Sequence, residues 1–138
     1  MADIDYFKKI NDKYGHIQGD SVLHEVGLIF ETAIRKHLDV AGRYGGEEFL
    51  LIYEDSEKDQ VLNIVERLRK TIEDHKFKKI GPNGSPLEGD CLHVTMSFGI
   101  ALLNDQPMEN SNEILSMADT ALYRSKESGR NQVTLSEH

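Results

Sequence analysis

Arg43-Tyr44-Gly45-Gly46-Glu47-Glu48-Phe49 decides the reading of this chain, because a glycine pair followed by two adjacent carboxylates separates two strand-like runs. Asp39-Val40-Ala41-Gly42-Arg43-Tyr44 precedes the glycines, and Phe49-Leu50-Leu51-Ile52-Tyr53 follows as an apolar stretch suited to a buried strand. Gly45-Gly46 fits a two-residue hairpin turn with positive φ. In that register Glu47 and Glu48 open the second strand with side chains on opposite faces. Acidic residues at a hairpin tip can hold a metal ion, although the same letters taken alone also describe a solvated turn.

Helical and strand periods alternate on either side of this hairpin. Over residues 20–37, Val22, Leu23, Val26, Phe30, Ala33 and Ile34 recur at helical spacing and form one apolar face. Over residues 57–75, Val61, Ile64, Val65, Leu68 and Ile72 do the same, with Glu66, Arg67, Arg69 and Lys70 as the solvated side. Pro82-Asn83-Gly84-Ser85-Pro86 is turn chemistry and predicts an exposed loop. Leu92, Val94, Met96, Phe98 and Ile100 then alternate with polar or small residues, which predicts a strand. A third helix over residues 112–128 carries Ile114, Leu115, Ala118, Ala121 and Leu122, with Gly129 placed as its C-cap, and residues 132–135 close as a short strand. This order of elements predicts an α+β fold, an antiparallel sheet with helices packed on it.

Composition narrows the class. The 138 residues suit one domain with one core. Cys91 is the single cysteine, so an internal disulfide framework is excluded, and a reducing, cytoplasmic setting is expected. No apolar run approaches the ~20 residues needed to span a bilayer, so no membrane contact is expected from this domain. The net charge of −8 argues against a duplex nucleic-acid partner, since no basic stripe offsets it. It leaves room for an anionic nucleotide, because a bound cation and a few local lysines or arginines can reverse the sign within one pocket. None of the six histidines falls in zinc-ligand spacing, and His16 receives no role.

The N-terminus changes the weight of the carboxylate pair. Asp3-Ile4-Asp5-Tyr6-Phe7-Lys8-Lys9-Ile10-Asn11-Asp12 is followed by Tyr14-Gly15-His16-Ile17-Gln18-Gly19-Asp20, and Tyr123-Arg124-Ser125-Lys126-Glu127-Ser128-Gly129-Arg130-Asn131 lies near the other end. With RYGGEEF, these stretches resemble, in order, the four motifs of the GGDEF domain family, the bacterial diguanylate cyclases. Glu47 stands where the family name has Asp, which keeps the carboxylate and lengthens its reach. The resemblance implies a ferredoxin-like core similar to the palm of nucleotide polymerases. It also implies condensation of two GTP into cyclic di-GMP with release of two pyrophosphates, at the interface of a homodimer whose two domains each hold one GTP.

Site residues follow from the resemblance, each with a physical role. Asp3, Ile4, Glu47 and Glu48 match the metal-binding positions, for two Mg²⁺ with Mn²⁺ able to substitute, and Glu47, Glu48 and Lys8 match catalytic ones. Hard cations take carboxylate oxygens, and two of them can activate the attacking 3′-hydroxyl and stabilise the leaving oxygen. Asn11 and Asp20 match the base-reading positions: a carboxylate accepts from both N1–H and the exocyclic amine of guanine, a donor pair that adenine lacks. Asp20 also suits a helix N-cap and Asn11 a turn. Lys126 and Arg130 match triphosphate cations, while Phe7 and Lys8 are expected in a turn whose backbone N–H groups face the phosphates.

Two departures from the family pattern stand out. Family members carry an upstream segment with an Asp-x-Leu-Thr-Gly-Leu-type motif, a helix and most of the first strand. Here Met1-Ala2 directly precedes Asp3, so the expectation is a single domain over residues 1–138 with a truncated first strand, the C-terminal part of a larger sensor protein. Second, the Arg-x-x-Asp product-inhibition register reads Lys36-His37-Leu38-Asp39, with Arg35 one place off and Arg67 matching a second product-holding arginine. Two other readings remain at this point: a non-catalytic module sensing GTP or cyclic di-GMP, and a different palm-type nucleotidyl transferase.

Overall fold

The computed structural model describes residues 1–103 and 111–137. Its elements are β1 (Ala2–Ile4), α1 (Phe7–Tyr14), α2 (His16–Glu31), β2 (Val40–Gly45), β3 (Glu48–Ile52), α3 (Lys58–Asp74), β4 (Phe77–Ile80), β5 (Pro86–Leu92), β6 (Met96–Ile100), α4 (Ser111–Glu127) and β7 (Val133–Leu135). Five strands form one sheet in the order β2-β3-β1-β6-β7, and β4 pairs with β5 in a separate ribbon. The α+β expectation holds.

The period-two alternation of the central strands sorts the sheet into two faces. Ala2 is opposite both Phe49 and Phe98, and Ile4 is opposite Met96, so these residues share one face. Phe30 of α2 meets that face, edge-on to Phe49 at 5.2 Å and to Phe98 at 6.3 Å between ring centres. Val61, Val65, Leu68 and Ile72 of α3 join the same core. Asp3, Glu48 and Ser97 are register partners on the other face. There α4 lies against β6 at Gly99, where an added Cβ would come within 2.2 Å of both the Ala118 carbonyl oxygen and the Leu122 nitrogen. Asp3 and Glu48 therefore sit on the α4 side of the sheet, in the central strand β1 and its neighbour β3.

Several local expectations are corrected. A helix, α1, stands where Phe7 and Lys8 were expected in a turn. α2 begins at His16 with Gly15 as its N-cap, so Asp20 lies inside the helix and caps nothing; the helix also ends at Glu31, short of residue 37. The hairpin turn is Gly46-Glu47, one residue later than expected, with Gly45 closing β2 opposite Glu48. A bulge between Arg43 and Gly45 shifts the register, positive φ occurs at Gly46, and Arg43 Nε donates to the Gly46 carbonyl at 2.7 Å. Leu92 ends β5, and the alternating stretch forms a strand only from Met96.

The turn chemistry of residues 82–86 joins two strands, the β4–β5 ribbon. A buried glutamine holds it against α2: Gln18 Nε2 donates to the Lys78 carbonyl at 2.9 Å, and Ile80 N donates to Gln18 Oε1 at 2.8 Å. The sheet is also mixed. β7 pairs parallel to β6 because α4 carries the chain back across the sheet between them. α3 matches its predicted span closely, with Glu57 and Gln60 forming a reciprocal capping box at its start.

Candidate functional site

The hairpin turn is stitched to β1. Asp3 is directly opposite Glu48, and Ile4 N donates to the Glu47 carbonyl at 3.2 Å. Antiparallel neighbours thus bring Asp3, Glu47 and Glu48 to one place, with the Lys126 ammonium from α4 on Asp3 Oδ2 at 2.8 Å. Burial pushes the Asp3 carboxyl above its ordinary value; Lys126 opposes that shift, and the nearby charges of Glu47 and Glu48 add to it. Ile4 has a buried side chain, so only its backbone could serve a ligand.

Among the described residues no three His, Cys, Asp or Glu side chains already converge as a cation cage. The donor chemistry still fits a divalent ion. Glu47 and Glu48 both repel the buried Asp3, which is neutralised by an ammonium that a metal ion can replace.

Asp5, two residues on, serves the fold. Its carboxylate accepts from Thr95 Oγ1 at 2.7 Å, Ser97 Oγ at 2.6 Å and Asn131 N at 3.0 Å. Asn131 Oδ1 accepts from Arg69 at 2.7 Å, and its Nδ2 donates to Glu73 at 2.8 Å, while Arg69 also pairs with Glu66. This network ties β1 to β6, α3 and the loop before β7. Charge-assisted bonds of this number make Asp5 costly to remove.

The two expected base readers lie on adjacent helices. Asn11, in α1, has its side-chain oxygen buried without a hydrogen-bond partner. It packs against Gly19 of α2 so closely that a Cβ at Gly19 would sit 1.9 Å from it. Asp20 is the next residue, exposed, and it lines a groove of about 610 Å³ between α2 and the hairpin with Leu23, His24, Gly27, Gly42 and Arg43. An orphaned acceptor and a free carboxylate side by side suit a ligand edge rich in N–H donors.

Phe7 is the first residue of α1 and is buried, while Lys8 is exposed beside it. α1 therefore presents N-terminal N–H groups, an anion-favouring end, close to β1. Tyr6 caps it in a left-handed conformation, φ 55 and ψ 31. Beyond α4, Gly129 takes φ 115 and the Arg130 N–H returns to the Ser125 carbonyl at 2.9 Å. That closure brings the Arg130 guanidinium to 4.6 Å from the centre of the Tyr6 ring.

A family profile described as "Diguanylate cyclase, GGDEF domain" matches residues 1–132. The chain belongs to the GGDEF domain family. It is similar to diguanylate cyclase A of Treponema denticola, 41% identical over 138 residues, all of this chain and 34% of that protein. It is also 35% identical over 135 residues to diguanylate cyclase DosC of Escherichia coli K12, covering 98% of this chain and 27% of that one. This chain thus spans about a third of the length of such relatives. Among solved structures it resembles the active GGEEF domain of a diguanylate cyclase from Vibrio cholerae, with a TM-score of 0.80, 30% identity and coverage of 99% and 80%. The GGDEF domain of DgcB from Caulobacter crescentus in complex with c-di-GMP is another neighbour, with a TM-score of 0.82, 34% identity and coverage of 97% and 74%.

In this GGDEF domain the expected product-site residues are placed differently from one another. Asp39 is buried, and its carboxylate accepts from Arg35 Nε at 2.8 Å, Arg35 Nη2 at 2.7 Å, Arg35 N at 2.8 Å and Glu54 N at 3.3 Å. Arg35 beside it holds the Asp39 carboxyl down at about 2. Lys36 and Arg67 are exposed. Arg35, one position off the motif register, is thus the residue that grips Asp39, and its guanidinium also reaches Ser56 Oγ at 3.0 Å.

Sequence reasoning missed Tyr6, Gly19 and the Asp5 network. Gly19 was legible as part of a glycine-punctuated stretch, but its need for a missing Cβ depends on where α1 crosses α2.

Proposed function

We propose that this domain condenses two GTP into cyclic di-GMP with release of two pyrophosphates, at a site shared by two domains face to face. The observation that carries the reading is the meeting of Asp3, Glu47 and Glu48 across β1 and the hairpin, with Lys126 on Asp3 at 2.8 Å. Asp3, Glu47, Glu48 and the Ile4 backbone are the groups that would hold Mg²⁺ or Mn²⁺. When bound, such an ion neutralises phosphate charge and eases deprotonation of the attacking 3′-hydroxyl.

The chain's own residues supply the rest. Asp20 accepts from the guanine N1–H and exocyclic amine, and the unpartnered Asn11 oxygen accepts from the amine edge. The α1 N-terminal N–H groups, Lys8, Lys126 and Arg130 receive the triphosphate. Lys126, which pairs with Asp3 at 2.8 Å, would be released to a phosphate oxygen where a cation held by Asp3 supplied the balancing charge, since a buried carboxylate left unpaired is costly. Glu47 or Glu48 takes the hydroxyl proton. Since one site holds one GTP, its 3′-hydroxyl meets the α-phosphate of the GTP on a second copy.

Incubation with GTP and Mg²⁺ tests this, with cyclic dinucleotide and pyrophosphate as the readouts across a protein dilution series. Specific activity is expected to rise with concentration until dimers saturate. GTP binding without either product at any concentration would replace the proposal with a nucleotide-sensing module. We further propose that the domain is one part of a longer signalling protein and works in the cytoplasm, where GTP is supplied.

A further inference from the structure

We propose that Tyr6 is a positioning residue, a platform that holds the Arg130 guanidinium beside the α1 N-terminus before the triphosphate arrives. The inference rests on the GTP-binding reading above and adds a residue to it. Tyr6 and Arg130 are 124 positions apart, yet the guanidinium carbon is 4.6 Å from the ring centre and Arg130 Nη1 is 3.5 Å from the Tyr6 hydroxyl. At that length the hydroxyl contributes little, and the cation–ring contact is the main attraction. Lys9 of the same helix also lies 4.5 Å from the ring centre. Two cations thus gather on one tyrosine at the end of α1 that favours anions.

Backbone conformation supports a placed contact. Tyr6 has φ 55, Arg130 φ 64 and Asn131 φ 47, so both sides of the contact hold a left-handed conformation that side chains larger than Asn or Asp seldom adopt. Tyr6 gains little from burial in return, since the residue is 53% exposed. Neighbouring bonds impose these conformations: Asp5 N donates to the Thr95 carbonyl at 2.9 Å, Asn131 N donates to Asp5 at 3.0 Å and Arg130 N to Ser125 at 2.9 Å. The same carboxylate, Asp5, therefore anchors the chain next to both members of the pair. A free arginine must be immobilised when it binds phosphate, and one already stacked loses less freedom.

The test measures binding, with turnover left aside. GTP and GMP are titrated calorimetrically into wild type, Tyr6→Phe and Tyr6→Asn, each with and without Arg130→Ala. Tyr6→Asn suits the left-handed backbone and is expected to melt at or above the wild-type temperature while binding GTP about three- to tenfold more weakly. Tyr6→Phe keeps the ring face and is expected to keep wild-type affinity. GMP, which lacks the outer phosphates, should bind all of them alike, and Tyr6→Asn should have no further effect once Arg130 is alanine. Equal GTP affinity for wild type and Tyr6→Asn, or additive losses in the Arg130→Ala background, would overturn the proposal. A wild type that binds GTP no better than GMP would instead overturn the triphosphate reading beneath it.

Discussion

Gly19→Ala separates the proposed base-reading role of Asn11 from the stability of the fold. Gly19 lies within α2 at a helical φ, so alanine there gains about 1 kcal/mol of helix propensity. The new Cβ would stand 1.9 Å from Asn11 Oδ1 and 3.1 Å from Phe7 Cζ. The nearer atom is the end of a side chain, and it has no hydrogen bond to lose. Swinging Asn11 out of its rotamer costs about 0.5–1.5 kcal/mol, while the Phe7 ring yields by a few tenths of an ångström. These effects nearly cancel, and the melting temperature is expected to move by no more than about 5 °C. Guanine binding, if Asn11 reads the base as proposed, has no such compensation. Losing one of two paired contacts to the base edge costs about 1–3 kcal/mol, or roughly five- to 150-fold in affinity. The assay is a calorimetric titration of GTP and ATP beside a thermal melt of the same samples. Wild-type GTP affinity and wild-type preference over ATP would refute the reasoning, because the asparagine cannot remain where it is once Gly19 has a Cβ.

Glu48→Gln removes one charge from the acids around Asp3 and is expected to abolish cyclic di-GMP synthesis at saturating Mg²⁺ while leaving the melt nearly unchanged; full turnover would contradict the metal role. Asp39→Ala leaves the Arg35 and Glu54 backbone N–H groups unpaired and is expected to cost about 1–3 kcal/mol in a denaturant titration at neutral pH. Because Arg35 lowers the folded-state Asp39 carboxyl from 3.8 to about 2, its stabilisation is full above pH 3.8 and fades as pH falls towards 2. The gap between wild type and Asp39→Ala should therefore narrow over that acid range, and a constant gap would count against the ion pair. Gly99→Ala drives a Cβ into the α4 backbone, which cannot rotate away, and should cost about 3 kcal/mol or more by the same measurement.

Much of the fold around the candidate site was legible in the residues. RYGGEEF announced a hairpin with acids at its tip, and the apolar periods over 20–37, 57–75 and 112–128 announced α2, α3 and α4, since amphipathic spacing is a local property of the chain. α1 was missed although Phe7, Ile10 and Tyr14 recur at helical spacing, because eight residues are too few for that spacing to stand out from a turn. The turn register slipped because a bulge between Arg43 and Gly45 depends on pairing with β3 and has no local mark.

What the sequence by itself determined is the inventory: an acidic chain, the alternation of elements, and the carboxylates, amide and cations that a GGDEF domain carries. Only the tertiary structure decided their partners. Nothing local distinguishes Asp3 from Asp5, both buried acids of the same short segment. Yet one faces Glu48 and Lys126, and the other is enclosed by Thr95, Ser97 and Asn131. Arg35 rather than Lys36 likewise grips Asp39. Those choices depend on strand order and on which face of the sheet α4 covers, through contacts that join residues as many as 126 positions apart. Hydrophobic periodicity reports which side of an element is buried; it carries no information on what lies across from it.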